Sequence, residues 1–129
     1  AVHPNRPDIT DQLNKVYMNK GIVIKFNAAQ SYTSDSVSYA IFNKICQNVD
    51  VPTQVFTNKS GVRGGGTLGN ISATQVSVRS VDIGLPQLAM HSCFETSGTL
   101  DNEYMVKAIK EFYESNLSFD ENNNVLISK

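Results

Sequence analysis

At 129 residues, 40% of them hydrophobic, the chain can bury one core and suits a single domain. A net charge of −1 with no basic stripe argues against a nucleic-acid surface, and no apolar run approaches the ~18 residues of a membrane span. Cys46 and Cys93 are too few for a disulfide framework and stand at no zinc-finger spacing from a histidine, which suits reduced thiols in a cytosolic protein.

Residues 1–20 hold Pro4 and Pro7 and little periodicity, and read as an extended arm. Their start, AVHPNRPD, has no methionine and no signal-peptide character, and is expected of a fragment or a processed chain. GIVIKFNA, 21–28, is a β-rich run with Lys25 near its centre. After the turn QSYTS, Ser34 or Asp35 suits an N-cap, and Val37, Ala40, Ile41 and Ile45 recur at helical spacing, so 35–48 is an amphipathic helix. VPTQVFTN, 51–58, is a second strand, and KSGVRGGGTLG is a glycine-rich loop. ISATQVSV is read as a short helix, although Val76 and Val78 also fit a strand. A third strand is expected at 80–84, ended near Pro86, which cannot donate to a ladder. Asp101 or Thr99 is the expected cap of the last helix, whose apolar face carries Met105, Ala108, Ile109, Phe112 and Tyr113. The tail SFDENNNVLISK is polar and expected to fray. Strands alternating with helices give an α/β class, a mostly parallel sheet flanked by helices. Such a sheet is normally covered on both faces, and three helices hint at a missing half.

Several side chains carry chemistry or a plain structural role. His91 follows an apolar run at the end of a strand, where ligands collect in open α/β sheets. It is either a satisfied structural histidine or a metal ligand or general base, and no HExxH pattern accompanies it. The 61–69 loop matches neither a P-loop nor a dinucleotide fingerprint, so it is a flexible loop or a substrate-facing one. Alternation puts Ile22, Ile24 and Phe26 on one face and Val23 and Lys25 on the other, so Lys25 points to solvent or lines a cavity that meets an anion. His3 sits in a Pro-flanked loop, where exposure is the default. Asp82 would be costly unpaired inside a strand, and Glu95 is an acceptor behind His91 or an ordinary helix-start carboxylate.

The series AVHPN, GIVIKFNAAQSYTSD, TNKSGVRGGGTLGNISATQ and VRSVDIGLPQLAMHSCFETSGTLDNEY resembles the aspartyl aminopeptidase family, in the same broad class as the bacterial aminopeptidase I proteins. The likeness runs from residue 1 to about residue 117, and DIGLPQLAMHS is its most specific string. It implies a two-zinc aminopeptidase, of which the chain would be roughly the C-terminal third. The remaining metal ligands, the glutamate general base and an oligomerisation domain are then expected outside it. The resemblance makes His91 a zinc ligand and places Lys25 and Tyr32 at the substrate pocket, with His3, Gly65 and Gly66 as further substrate-side positions. Three departures stand out: Gly61 where an acid is expected, Gly66 where a serine or threonine is expected, and Gln30–Ser31 in place of Gln-Arg.

The resemblance further implies a peptide substrate with an acidic N-terminal residue, no nucleic-acid or membrane partner, a cytoplasmic location and a homo-oligomer, dimer-based and up to a dodecamer. The segment alone is expected to be inactive. The alternatives are a non-catalytic folding or interaction module derived from such an enzyme and an unrelated small-molecule-binding α/β domain.

Overall fold

The computed structural model describes residues 1–129. Its centre is strand β1, Ile22–Phe26, the middle of a three-stranded sheet. β2, Thr53–Thr57, runs parallel to β1 in an unbroken register from Ile22↔Thr53 to Phe26↔Thr57. On the other side β3 pairs antiparallel, with Val23 opposite Gly84 and Ile24 opposite Ile83. The sheet is therefore mostly parallel, with an antiparallel edge. β3 covers Ile83–Gly84 alone, shorter than the expected 80–84. Its direction follows from the preceding helix, α2, Leu68–Gln75, which buries no residue. A parallel return needs a helix packed across the sheet, and α2 makes no such crossover.

Between β1 and β2 lies α1, Ser36–Asn48. Of the two expected caps it uses Asp35, whose side chain accepts from the Ser38 N–H while Ser38 Oγ accepts from the Asp35 N–H. This reciprocal pair satisfies orphan donors of the first turn. Helix α3, Thr99–Glu114, packs beside α1. Ile22 and Ile24 form the core with Phe42 and Cys46 of α1, Ala108 of α3 and Val51, and Phe26 packs against them. Burial without a partner pushes the Cys46 thiol up to about 12, so it is an inert core group.

Three expectations change at element ends. α2 begins at Leu68, ahead of the expected ISATQVSV, and runs through Gly69. The cap of α3 is Gly98 rather than Asp101 or Thr99. Asp101 is fully buried inside the first turn, and its carboxylate accepts from the Asn19 N–H at 2.6 Å and the Gly21 N–H at 2.9 Å. In return Asn19 Oδ1 accepts from the Leu100 N–H. The third change is the tail, which is a hairpin of β6, Asn116–Phe119, and β7, Val125–Ser128. Asp120 closes its turn by accepting from the Asn122 and Asn124 N–H groups. Alternation puts Leu117, Phe119, Val125 and Ile127 on one face, and the first three line an apolar groove of about 570 Å³ with Phe42, Val81 and Phe112. The buried Glu111 holds the hairpin's end through Lys129 Nζ at 2.8 Å.

Candidate active site

His91 stands on the loop between β4, Gln87–Leu88, and β5, Thr96–Ser97, an antiparallel pair with Leu88 opposite Thr96. Ala89 and His91 both take left-handed backbone, with φ of 52° and 70°. For residues with a Cβ this conformation costs on the order of 1 kcal/mol each and is held by its surroundings. Here the Ser92 N–H bonds to the Ala89 carbonyl at 3.0 Å, and the His91 N–H donates to Glu95 Oε1. Glu95 is thus a backbone clamp, neither an acceptor for the imidazole nor a helix-start carboxylate. The imidazole itself is exposed and makes no hydrogen bond within the chain. Both ring nitrogens remain available; a metal ligand uses one of them, and no partner within the chain fixes the tautomer through the other. No three His, Cys, Asp or Glu side chains gather as a metal site, so a metal held by His91 would need its other donors from beyond these residues.

The N-terminal arm reaches the same hairpin, since the Ala1 nitrogen donates to the Gln87 carbonyl. On that arm His3 is half-buried rather than exposed, and its Nδ1 accepts from the Asn5 N–H at 3.1 Å.

Lys25 occupies the face of β1 that the alternation assigns it. Its side chain lies over Gly84 of β3, where a Cβ would stand 3.2 Å from Lys25 Cε and 3.4 Å from Nζ. Nζ is 5.8 Å from the ring centroid of Tyr32, which is itself buried, a cation–π arrangement. Lys25 is half-buried and no carboxylate pairs with it. A half-buried ammonium without a carboxylate of its own offers a charge that an anion could meet.

The glycine-rich loop meets this wall at its C-terminal end. The Thr67 N–H bonds to the Ser31 carbonyl at 3.3 Å, beside Tyr32. A Cβ on Gly66 would touch that same carbonyl at an ordinary 3.4 Å, and one on Gly65 would touch nothing. Neither position demands glycine, so Gly66 leaves room where a hydroxyl side chain is expected from the resemblance. Gly61, at φ 78°, does use glycine's freedom. At the loop's two ends, Asn58 Nδ2 and Asn70 Oδ1 are buried without a partner. Asp82, singled out in the sequence for an unexplained charge, lies here, its carboxylate accepting from Thr33 and Thr67. Lys25 and Tyr32 therefore form one wall, which Gly66 meets at the Ser31 carbonyl, while the turn carrying His91 and the arm carrying His3 both reach the β4–β5 hairpin. The two groups are joined through the short run from β3 over the fully buried Pro86 to β4. Sequence reasoning missed Gly84 as the floor under Lys25; a glycine inside a strand signal was the available hint.

A family model described as "Aminopeptidase I zinc metalloprotease (M18)" matches residues 1–113. The "Probable M18 family aminopeptidase 2" of Clostridium acetobutylicum is 50% identical over 113 residues, covering 88% of this chain and 26% of that protein. Its counterpart in Clostridium novyi is 52% identical over the same extent. Among solved structures, a chain of the structure described as "Cryo-EM structure of the Ape4 and Nbr1 complex" superposes with a TM-score of 0.86 at 38% identity, over 88% of this chain and 22% of that one. Aminopeptidase I from Clostridium acetobutylicum gives 0.75 at 26% identity, over 87% and 26%. The chain spans about a quarter of the length of the curated relatives it matches.

Proposed function

The chain belongs to the aminopeptidase I zinc metalloprotease (M18) family, and on that premise we propose that the protein it forms part of is a zinc-dependent aminopeptidase acting on peptides with an acidic N-terminal residue. The carrying observation is Lys25, a half-buried ammonium over Tyr32 with no carboxylate of its own.

Bound zinc, two ions in this reading, supplies Lewis-acid polarisation of the scissile carbonyl and an acidified water. His91 would hold one ion, its imidazole presented by the Glu95-clamped turn. Lys25 binds the side-chain carboxylate of the N-terminal Asp or Glu through a charge-assisted hydrogen bond. Tyr32 closes the apolar side of that pocket, and Gly65 and Gly66 let the peptide backbone approach the loop. His3, on the arm that Ala1 ties to β4, is assigned as a further substrate contact. The general base is not in these residues and is assigned to the rest of the protein, as is the remainder of the metal shell. The segment alone is therefore inactive. A relative of known structure, yeast aminopeptidase 1, is described as a dodecamer, which supports a homo-oligomer for the whole protein here. A cytoplasmic location completes the reading, supported by two thiols left free.

The test is Lys25→Met in the full-length protein, which removes the cation and keeps most of the stem. Loss of one charge-assisted bond to a desolvated carboxylate costs about 1.5–3 kcal/mol, roughly a 10- to 150-fold fall in kcat/KM for an N-terminal Asp substrate. An N-terminal Leu substrate places no carboxylate there and loses much less. Equal losses on both would remove the acidic pocket from the account.

A further inference from the structure

We propose that Asp82 is the positioning residue that fastens the glycine-rich loop to the Lys25–Tyr32 wall, and so sets the substrate side of the site; the substrate role rests on the aminopeptidase reading above. One carboxylate oxygen, Oδ2, accepts from the Thr33 N–H at 2.7 Å, from Thr33 Oγ1 at 3.0 Å and from Thr67 Oγ1 at 2.8 Å. The backbone of the same residue makes the other joints. Its carbonyl accepts from the Lys25 N–H at 2.9 Å, and its N–H donates to Ser34 Oγ at 2.9 Å. Asp82 is thus bonded to Lys25 itself, to both residues that follow Tyr32, and to the residue that follows Gly66.

Two local features are organised around this fastening. Thr67 stands at the N-cap of α2, yet its hydroxyl makes no cap bond to the first turn and donates to Asp82 instead. The helix forgoes that cap. Gly69, in the first turn of α2, is pressed on the same point: a Cβ there would lie 2.7 Å from Thr33 Cγ2 and 3.1 Å from Asp82 Oδ2. Any larger residue would lift the helix start from the carboxylate. No lysine or arginine pairs with Asp82, so its charge is met by aimed donors alone, an arrangement that fixes geometry.

The experiment uses the full-length protein carrying Thr67→Val, which keeps the side chain's shape and removes one donor, with Asp82→Ala as the stronger variant and Thr67→Ser as the rescue. Two readouts are taken: hydrogen exchange of the Thr33 and Thr67 amides, and the Asp-over-Leu selectivity in kcat/KM. The expected result is exchange at Thr67 roughly tenfold faster in the valine variant, as befits loss of about one hydrogen bond. Selectivity should fall roughly tenfold in parallel, and serine should restore both. Asp82→Ala should free the Thr33 amide, which it holds directly, and loosen the Thr67 amide, which stays bonded to the Ser31 carbonyl; if it does not fold, the Thr67 pair decides alone. Wild-type exchange in Thr67→Val overturns the fastening, whatever the activity does. Faster exchange with unchanged selectivity overturns the positioning role and leaves a structural one. A wild-type protein without peptidase activity overturns the functional reading instead, and exchange still decides the fastening.

Discussion

A methyl group added to Gly84 would stand 3.2 Å from Cε of Lys25. The lysine stem lies in a trough that exists because β3 has no side chain at that point, and Val23↔Gly84 pairing fixes the trough's position on the sheet. Gly84→Ala must displace the stem by a few tenths of an ångström and shift Nζ relative to Tyr32. Positioning errors of this kind act on the reacting complex out of proportion to their size. The expected outcome is a loss of kcat/KM on N-terminal Asp substrates of roughly tenfold, with little change on Leu substrates. Steady-state kinetics on the two substrates checks it; a uniform loss would mean that the sheet, not the lysine, was disturbed.

Asp101 should be among the most sensitive positions for stability. It is fully buried, and it satisfies the backbone of Asn19 and Gly21, more than 75 positions upstream in the chain. Asp101→Ala leaves two backbone N–H groups without their charged acceptor, at about 1–3 kcal/mol each. A fall of several kcal/mol in urea-unfolding stability is expected, with Asp101→Asn intermediate because its oxygen still accepts. A change below about 0.5 kcal/mol, the ordinary surface range, would contradict the latch.

The end of the C-terminal hairpin should loosen at alkaline pH. The hydrogen bond and charge of Glu111 raise the Lys129 pKa above its ordinary 10.5. A raised pKa means that the contribution is fully present below 10.5 and is lost as pH rises through the higher folded value. Protection of amides in 116–128, relative to the intrinsic exchange rate, should therefore fall above about pH 10.5, and Lys129→Gln should show the lowered protection at neutral pH. Identical exchange in the two proteins at neutral pH would show that the apolar face alone holds the hairpin.

At the acid end the sign reverses. The Ser38 N–H, more than any other group, lowers the Asp35 pKa below 3.8. Its cap contributes fully above 3.8 and fades as pH falls through the depressed folded value. Protection of the first turn of α1, relative to the intrinsic exchange rate, should fall below about pH 3.8, and Asp35→Ala should remove that step while costing about 1 kcal/mol above it. A first turn indifferent to pH in the wild type would contradict the cap.

What was legible in the sequence is what short-range physics decides. β1 shows its alternation, α1 its periodicity and its Asp35 cap, and both stand within one or two residues of where they were read. β3 has only two paired residues, too few for any period to show, and its antiparallel sense comes from α2 failing to cross the sheet. Asp101 reads as a helix cap because its true donors, at Asn19 and Gly21, are distant in sequence. The tail looked frayed because DENNN dominates its composition, while alternation in NLSF and VLIS carried the hairpin. In the site, the face of Lys25 was readable from alternation, whereas Tyr32 and the role of His91 came from resemblance. Asp82 was visible only as a charge needing partners, and Thr33 and Thr67 became its partners by folding alone.

The most direct test of the account is the zinc content of full-length His91→Ala, measured beside its melting temperature and its rate on an N-terminal Asp substrate. The exposed imidazole makes no hydrogen bond in the chain, so its removal should leave melting of the metal-free protein nearly unchanged. The account predicts loss of bound zinc and a fall in rate beyond the roughly 100-fold that losing a partner behind a metal ligand costs. Full zinc occupancy with a wild-type rate would show that His91 holds no metal and would contradict the central claim.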